Sequence, residues 1–257
     1  MQFILNLLIL TSISLFSFNC QAFNEHHLQK LLETNECENC DLTSLDFTDK
    51  DLAHANLKGA NLSNSILNYA NLENVNLENG LLVNSYFKYA NLFNANLKNA
   101  DLSEAVFVDA NLKNTNLKNA KLDNGFFTDA NLAGSNLSSA TMINTNFIFT
   151  NLSNANLYLA NLEGAILNDA NMEFANLYKA KLRYAKFVNT NLTSAMLQDA
   201  DFSFSDLSNT NFYKASMRYA NFTDSIIHNT NFREANIIGV IFIGTKLEYI
   251  DINKIVE

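Results

Sequence analysis

The chain has 257 residues, with 26 Asp and Glu against 17 Lys and Arg, a formal net charge of -9, seven Gly, no Pro and no Trp. At 48% hydrophobic it has ample material for a core, which excludes ordinary disorder. The missing Pro and scarce Gly disfavour an enzyme built on irregular loops, and the acidic balance disfavours a grip on nucleic-acid phosphates; the charge then means plain solubility or imitation of a polyanion.

Residues 1–22 carry no charged side chain, and Phe3 to Phe18 are mostly Leu, Ile, Phe and Ser. That run is short for a membrane span and suits the apolar core of a signal peptide. Cys20 and Ala22 put small residues three and one before a cut after Ala22. The expectation is a cleaved signal over 1–22, a periplasmic or secreted protein, and no membrane span in the mature chain. Two competing readings are a lipid-anchored Cys20, which Asn19 before it fits poorly, and a retained apolar segment.

Over 23–40, Asn24 is placed to cap a short helix with Leu28, Leu31 and Leu32 on one face, forming an N-terminal cap over the first repeat. Cys37-Glu38-Asn39-Cys40 has the spacing of a redox or zinc half-site, but a second Cys pair is missing and only His26 and His27 lie near. A packed pair or a local disulfide between Cys37 and Cys40, formed after export, is the preferred reading.

Residues 41–252 form the body. From Leu42 to Ile252 every fifth residue is Leu, Phe, Met or Ile, 43 positions without a slip. Two residues before each, from Ala55 to Thr245, stands Ala, Ser, Thr, Gly or Val in all 39 cases. A helix turns through about 500° in five residues and cannot hold that repeat on one face. In extended chain, residues two apart point the same way, so the large and small residues share one interior and a corner then resets the phase. The phenylalanines count the sides. Before residue 200 those at the large position are Phe47, Phe87, Phe107, Phe127, Phe147 and Phe187, all separated by multiples of 20. This predicts a coil of four pentapeptides. Later they move to Phe202, Phe222 and Phe242 on one side and Phe212 and Phe232 on the opposite one, which redistributes core volume within one cross-section.

The unit Ala-(Asn/Asp)-Leu-x-x, as in Ala55-Asn56-Leu57-Lys58-Gly59 or Ala110-Asn111-Leu112-Lys113-Asn114, closely resembles the pentapeptide repeat family across the whole of 41–252. The resemblance implies an all-β fold, a right-handed quadrilateral parallel β-helix, with coils about 4.8 Å apart. Asn or Asp fills 27 of the 42 positions just before the large residue from Asp46 to Asp251, and stacked Asn side chains hydrogen-bond from coil to coil. The tail, 253–257, is too short to cover a coil. Ile237, Ile238, Val240, Ile241 and Ile243 give the last coil an apolar exterior, so a homodimer through the C-terminal ends is expected.

Two surfaces stand out. On the side holding the early Phe column, Ile66, Tyr86, Val106, Phe126 and Ile166 precede the large residue, and Val108, Ile148 and Val188 come just after it. They read either as an exposed interaction stripe or as strand-forming residues on a well-ordered side. A later aromatic and basic group includes Phe174, Tyr178, Lys179, Lys181, Arg183, Tyr184 and Lys186, read as a partner or polar-ligand surface or as an incidental solvated one.

Catalysis has little to stand on. His26, His27, His54 and His228 are scattered, and no phosphate loop or Ser/His/Asp grouping occurs, so no enzyme, metal or cofactor is expected. The leading expectation is an exported scaffold that binds an as yet unidentified protein, with direct nucleic-acid binding disfavoured. The resemblance also implies an alternative, since gyrase-protecting family members mimic DNA. An export signal would separate this chain from a cytoplasmic topoisomerase, and its unbroken register leaves no projecting loop. A secreted effector or host-surface binder is the third reading. Position also tempers the charge: residues 23–50 hold seven acids and two bases, whereas the remaining 207 residues hold 19 and 15.

Overall fold

The computed structural model describes residues 24–248. The segment 1–22 expected to be a signal, with the cut expected after Ala22, and the tail 253–257 with Ile252 before it, lie outside the described residues. From residue 36 onward the backbone repeats one five-residue unit. The residue before each large one pairs in parallel with the residue 20 positions on, as in Asp51 to Asn71 to Asn91 to Asn111. Four pentapeptides therefore make one coil, and the outward residues fall into four columns.

The corners explain the composition. In nearly every unit the small residue's N–H donates to the carbonyl of the large residue three before it, as from Ala95 to Leu92 at 3.0 Å. The residue just before the small one has a positive φ, 56° at Asn94 and 60° at Asn114. That combination is the mark of a type II turn; the positive φ recurs every fifth residue from Asn39 to Gly244, and the hydrogen bond goes with it except at the corners that end at Leu45 and Thr230. Two residues thus turn every corner, so no loop is needed. Asn and Asp tolerate this backbone and occupy many of the sites that Gly would otherwise fill. At Tyr69 and Tyr89 the conformation costs about 1 kcal/mol or more per residue. Their rings, one coil apart, stack with centroids 4.9 Å apart and offset part of that cost.

Asn and Asp before the large residue have a local role as well as a stacking one. Asn111 Oδ1 accepts from the backbone N–H of Lys113 at 3.3 Å, tying down the corner. Its Nδ2 donates to Asn91 Oδ1 at 2.9 Å, one coil back. Asp can fill the first role, as Asp46 does for the N–H and hydroxyl of Thr48. It lacks the donor for the second.

The interior is filled by the large residues and the small residues two before them, both buried. Phe87, Phe107, Phe127 and Phe147 form a stack with centroid spacings of 4.5, 4.9 and 5.2 Å. Phe187 then meets Phe202 edge-on at 5.3 Å, and two new stacks begin: Phe202, Phe222 and Phe242, and Phe212 with Phe232. The two stacks meet edge-to-face, as between Phe212 and Phe222 at 85°. Where the small position is Thr, its hydroxyl donates to the carbonyl of the large residue 23 positions earlier, as from Thr150 to Phe127 at 2.7 Å.

At the N-terminal end, helix α1 spans Glu25–Thr34, and the Asn24 side chain accepts from His26 N. Leu31 is buried and Leu28 packs on the core, but Leu32 is 59% exposed. The expected three-leucine face is thus corrected to two, because successive residues lie 100° apart on a helix and seating Leu31 turns Leu32 outward. Asn35 joins the helix to the first coil, since its carbonyl accepts from Asn56 N at 3.0 Å. His27 has a role that its sequence position does not announce: its Nδ1 accepts the Asp41 N–H at 3.0 Å, a donor for which no earlier coil supplies a carbonyl among the described residues. Cys37 and Cys40 are buried and joined as a disulfide beside the helix.

At the other end the corner after Ile227 opens into β1, Ile226–His228, which pairs in parallel with β2, Lys246–Glu248. Ile237, Val240 and Phe242 are only partly buried against the core there.

Candidate functional site

Column membership decides which surface residues meet. Two columns are dominated by Asn: Asn71 to Asn231, unbroken, and Asn56 to Asn176. Their side chains are largely occupied with one another, as in Asn76 to Asn56 at 3.2 Å and Asn231 to Asn211 at 2.8 Å. Lys113, Asn114, Asn131, Ala133, Gly134 and Asn154 line a shallow depression on this polar surface. A second depression lies along the helix at Glu25, Leu28, Gln29, Leu32 and Glu33.

The apolar stripe is one continuous column: Asp46, Ile66, Tyr86, Val106, Phe126, Asn146, Ile166, Lys186, Asp206 and Ile226. Tyr86 and Phe126 are each 48% exposed, and Ile66 is exposed as well. Val106, Ile166 and, at the adjoining corner, Val108, Ile148 and Val188 are half-buried. The stacked Tyr69 and Tyr89 rings widen the stripe at that corner. Asn146 interrupts it and Lys186 ends it.

The aromatic and basic group does not come together as its sequence proximity suggested. Lys186 stands in the stripe column, next to Ile166. Phe174 lies ten residues, half a coil, from Tyr184 and so at a different corner. What remains on one side is Tyr178, Lys179, Lys181, Arg183 and Tyr184. Tyr158 and Tyr178 stack at 5.7 Å along one border, and Tyr184 and Phe204 stack at 5.1 Å along the other. Lys179 lies 5.1 Å from the Tyr178 ring, and the Arg183 guanidinium lies 5.5 Å from both Tyr184 and Phe204. One coil later the same column positions carry Asp199 and Asp201, with Lys181 paired directly to Asp201 in the backbone ladder.

The electrostatics favour fixed charges. Burial pushes the Asp101 carboxyl up, but Ser103 and Lys121 outweigh it and hold the group below the usual range. The Thr48 hydroxyl and amide lower Asp46 likewise. Tyr178 raises Lys179, and Tyr213 raises Lys214. Each shift stabilises the charged form, so none of these groups is readied for proton transfer near neutral pH. Among the described residues no cluster of His, Cys, Asp or Glu could hold a metal ion, and no helix is long and apolar enough to cross a membrane.

The family model for pentapeptide repeats matches in 8 copies, over 46–82, 90–129, 126–157, 155–193, 175–213, 195–232 and 215–248. Among solved structures the chain is similar to HetL, a pentapeptide repeat protein involved in heterocyst differentiation regulation from the cyanobacterium Nostoc sp. strain PCC 7120. The TM-score is 0.50 at 24% identity, covering 91% of this chain and 100% of that one. It is also similar to QnrB1, a plasmid-mediated fluoroquinolone resistance protein, with TM-score 0.53 at 19% identity over 81% and 89% of the two chains. At these identities the likeness is one of fold, a right-handed β-helix. No curated protein matches the sequence.

Proposed function

The chain belongs to the pentapeptide repeat family, and from that premise we propose that it is an exported, non-catalytic scaffold that binds another protein through its long sides. The observation that carries this reading is the stripe. Ile66, Tyr86, Val106 and Phe126 stand in successive coils of one column, whereas the Asn columns satisfy themselves. A contiguous exposed apolar run of this length, beside columns of self-paired Asn, supports a partner surface. We infer that the four columns are the sides of a quadrilateral rod and that α1 caps its first coil, with Leu31 closing the core and His27 taking a free N–H. The partly buried Ile237, Val240 and Phe242 support self-association at the opposite end.

Export is supported by the apolar segment 1–22 and by the Cys37–Cys40 disulfide, which suits an oxidising compartment. In cells expressing a C-terminally tagged chain, fractionation and N-terminal sequencing should find a periplasmic or secreted protein that begins at Phe23. A cytoplasmic protein still beginning at Met1 would sink the export reading and turn attention to gyrase, tested by supercoiling with added protein. A periplasmic scaffold and a secreted effector or host-surface binder separate in the same fractionation.

A further inference from the structure

We propose that the side bearing Lys179, Lys181 and Arg183 pairs with the same side of a second copy of this chain, the two rods antiparallel. This rests on the reading of the long sides as interaction surfaces. The basic row is one coil deep. The next coil carries Asp199 and Asp201 in the same column positions, about 4.8 Å away along the rod. A polyanion reaching Lys181 would therefore meet Asp201 as well, so the side suits a partner with the same alternation of sign.

Within the chain Lys179 and Arg183 meet aromatic rings, and Lys179 feels Asp199, without closing an ion pair. Among the described residues, Lys179, Lys181, Arg183, Asp199 and Asp201 form no ion pair. The reason is visible at Asp201. Its Oδ1 accepts from Ser203 N at 3.1 Å and Ser203 Oγ at 2.7 Å in its own coil and from Asn221 Nδ2 at 3.1 Å in the following one, bonds that engage this oxygen with partners other than Lys181. Arg183 Nε is covered from solvent without a hydrogen-bond partner.

A two-fold axis lying across this side, midway between the two coils, sets Lys179 opposite Asp199 of the second copy and Lys181 opposite Asp201 of the second copy. Each contact occurs twice, as an isologous interface requires. The same operation sets the Tyr184 ring beside Phe204 of the second copy. Two and a half coils from the axis it brings Ile243, 71% exposed, opposite the half-buried Ile143 of the second copy. A parallel pair would instead set Lys against Lys. Complementary rows of this kind fix register and partner choice more than they add affinity.

The test is sedimentation velocity on the full mature chain and on two charge-reversed variants, Lys179→Glu with Lys181→Glu and Asp199→Lys with Asp201→Lys. The wild type should self-associate at micromolar concentration and do so less at high salt. Each variant alone should associate about tenfold more weakly or worse, and an equimolar mixture of the two should recover a heterodimer. Thermal melts confirm folding. Where a reversed row does not fold, the neutral Lys179→Gln with Lys181→Gln variant is read for the same weakening. A wild type that stays monomeric, variants that associate as the wild type does, or a mixture that fails to recover association would each overturn the proposal. Association that both reversals leave unchanged and that only Phe242→Asp abolishes would overturn it too, leaving the C-terminal end as the self-association surface. None of these outcomes alters the fractionation result, so failure of this pairing and failure of the export reading remain distinct.

Discussion

Phe127→Ala lowers the stability of the rod by about 3–5 kcal/mol. The ring is fully buried between Phe107 and Phe147, 4.9 and 5.2 Å away, so truncation removes stacking on both faces and leaves a cavity in the middle of the rod. The backbone cannot collapse into it, because Phe127 N donates to Asn146 O and Phe107 N to Phe126 O, which holds the coils at their spacing. Coils contact only their neighbours, so the loss divides the solenoid at its centre. Urea unfolding followed by circular dichroism should show a lower midpoint, or a split transition. Phe242→Ala, at the partly buried end, should cost distinctly less. Equal costs at the two sites would contradict an interior that is packed coil by coil.

The second large effect concerns proline, which the chain lacks entirely. Asn111→Pro should cost about 3 kcal/mol or more, because it removes the N–H that donates to Ala90 O at 2.9 Å and both bonds of the Asn side chain. Lys113→Pro, two residues on, should cost much less. That site is the second residue of a type II turn, where proline is favoured, and its N–H makes only the 3.3 Å bond to Asn111 Oδ1. Thermal melts of the two variants should separate clearly. Equal melting temperatures would mean that the ladder and the corner have been assigned to the wrong residues.

Much of this architecture was legible in the residues. The five-residue spacing of the inward positions showed as periodicity because each inward residue is restrained by volume, and the Phe spacing of 20 set the coil length because stacked rings occupy one place in successive cross-sections. The corner role of Asn Oδ1 was not evident, because the stacking role explained the same residue type. Leu32 was misplaced because a short helix with three leucines does not declare which two face inward.

Outward residues carry no such restraint, and a surface on this rod consists of residues 20 apart. Phe174 and Lys186 looked like neighbours of Tyr184 along the chain, yet corners separate Phe174 from it and the stripe column holds Lys186. The sequence alone determined the coil, its core and the inward or outward facing of each residue of the repeat, since a local period suffices to place them. The tertiary structure decided that Lys181 faces Asp201 unpaired, that His27 closes a free N–H, and that the stripe ends at Lys186. Those outcomes depend on which groups meet across the roughly 4.8 Å between coils, and hydrogen bonds such as those of Asp201 choose among partners that spacing along the chain leaves open.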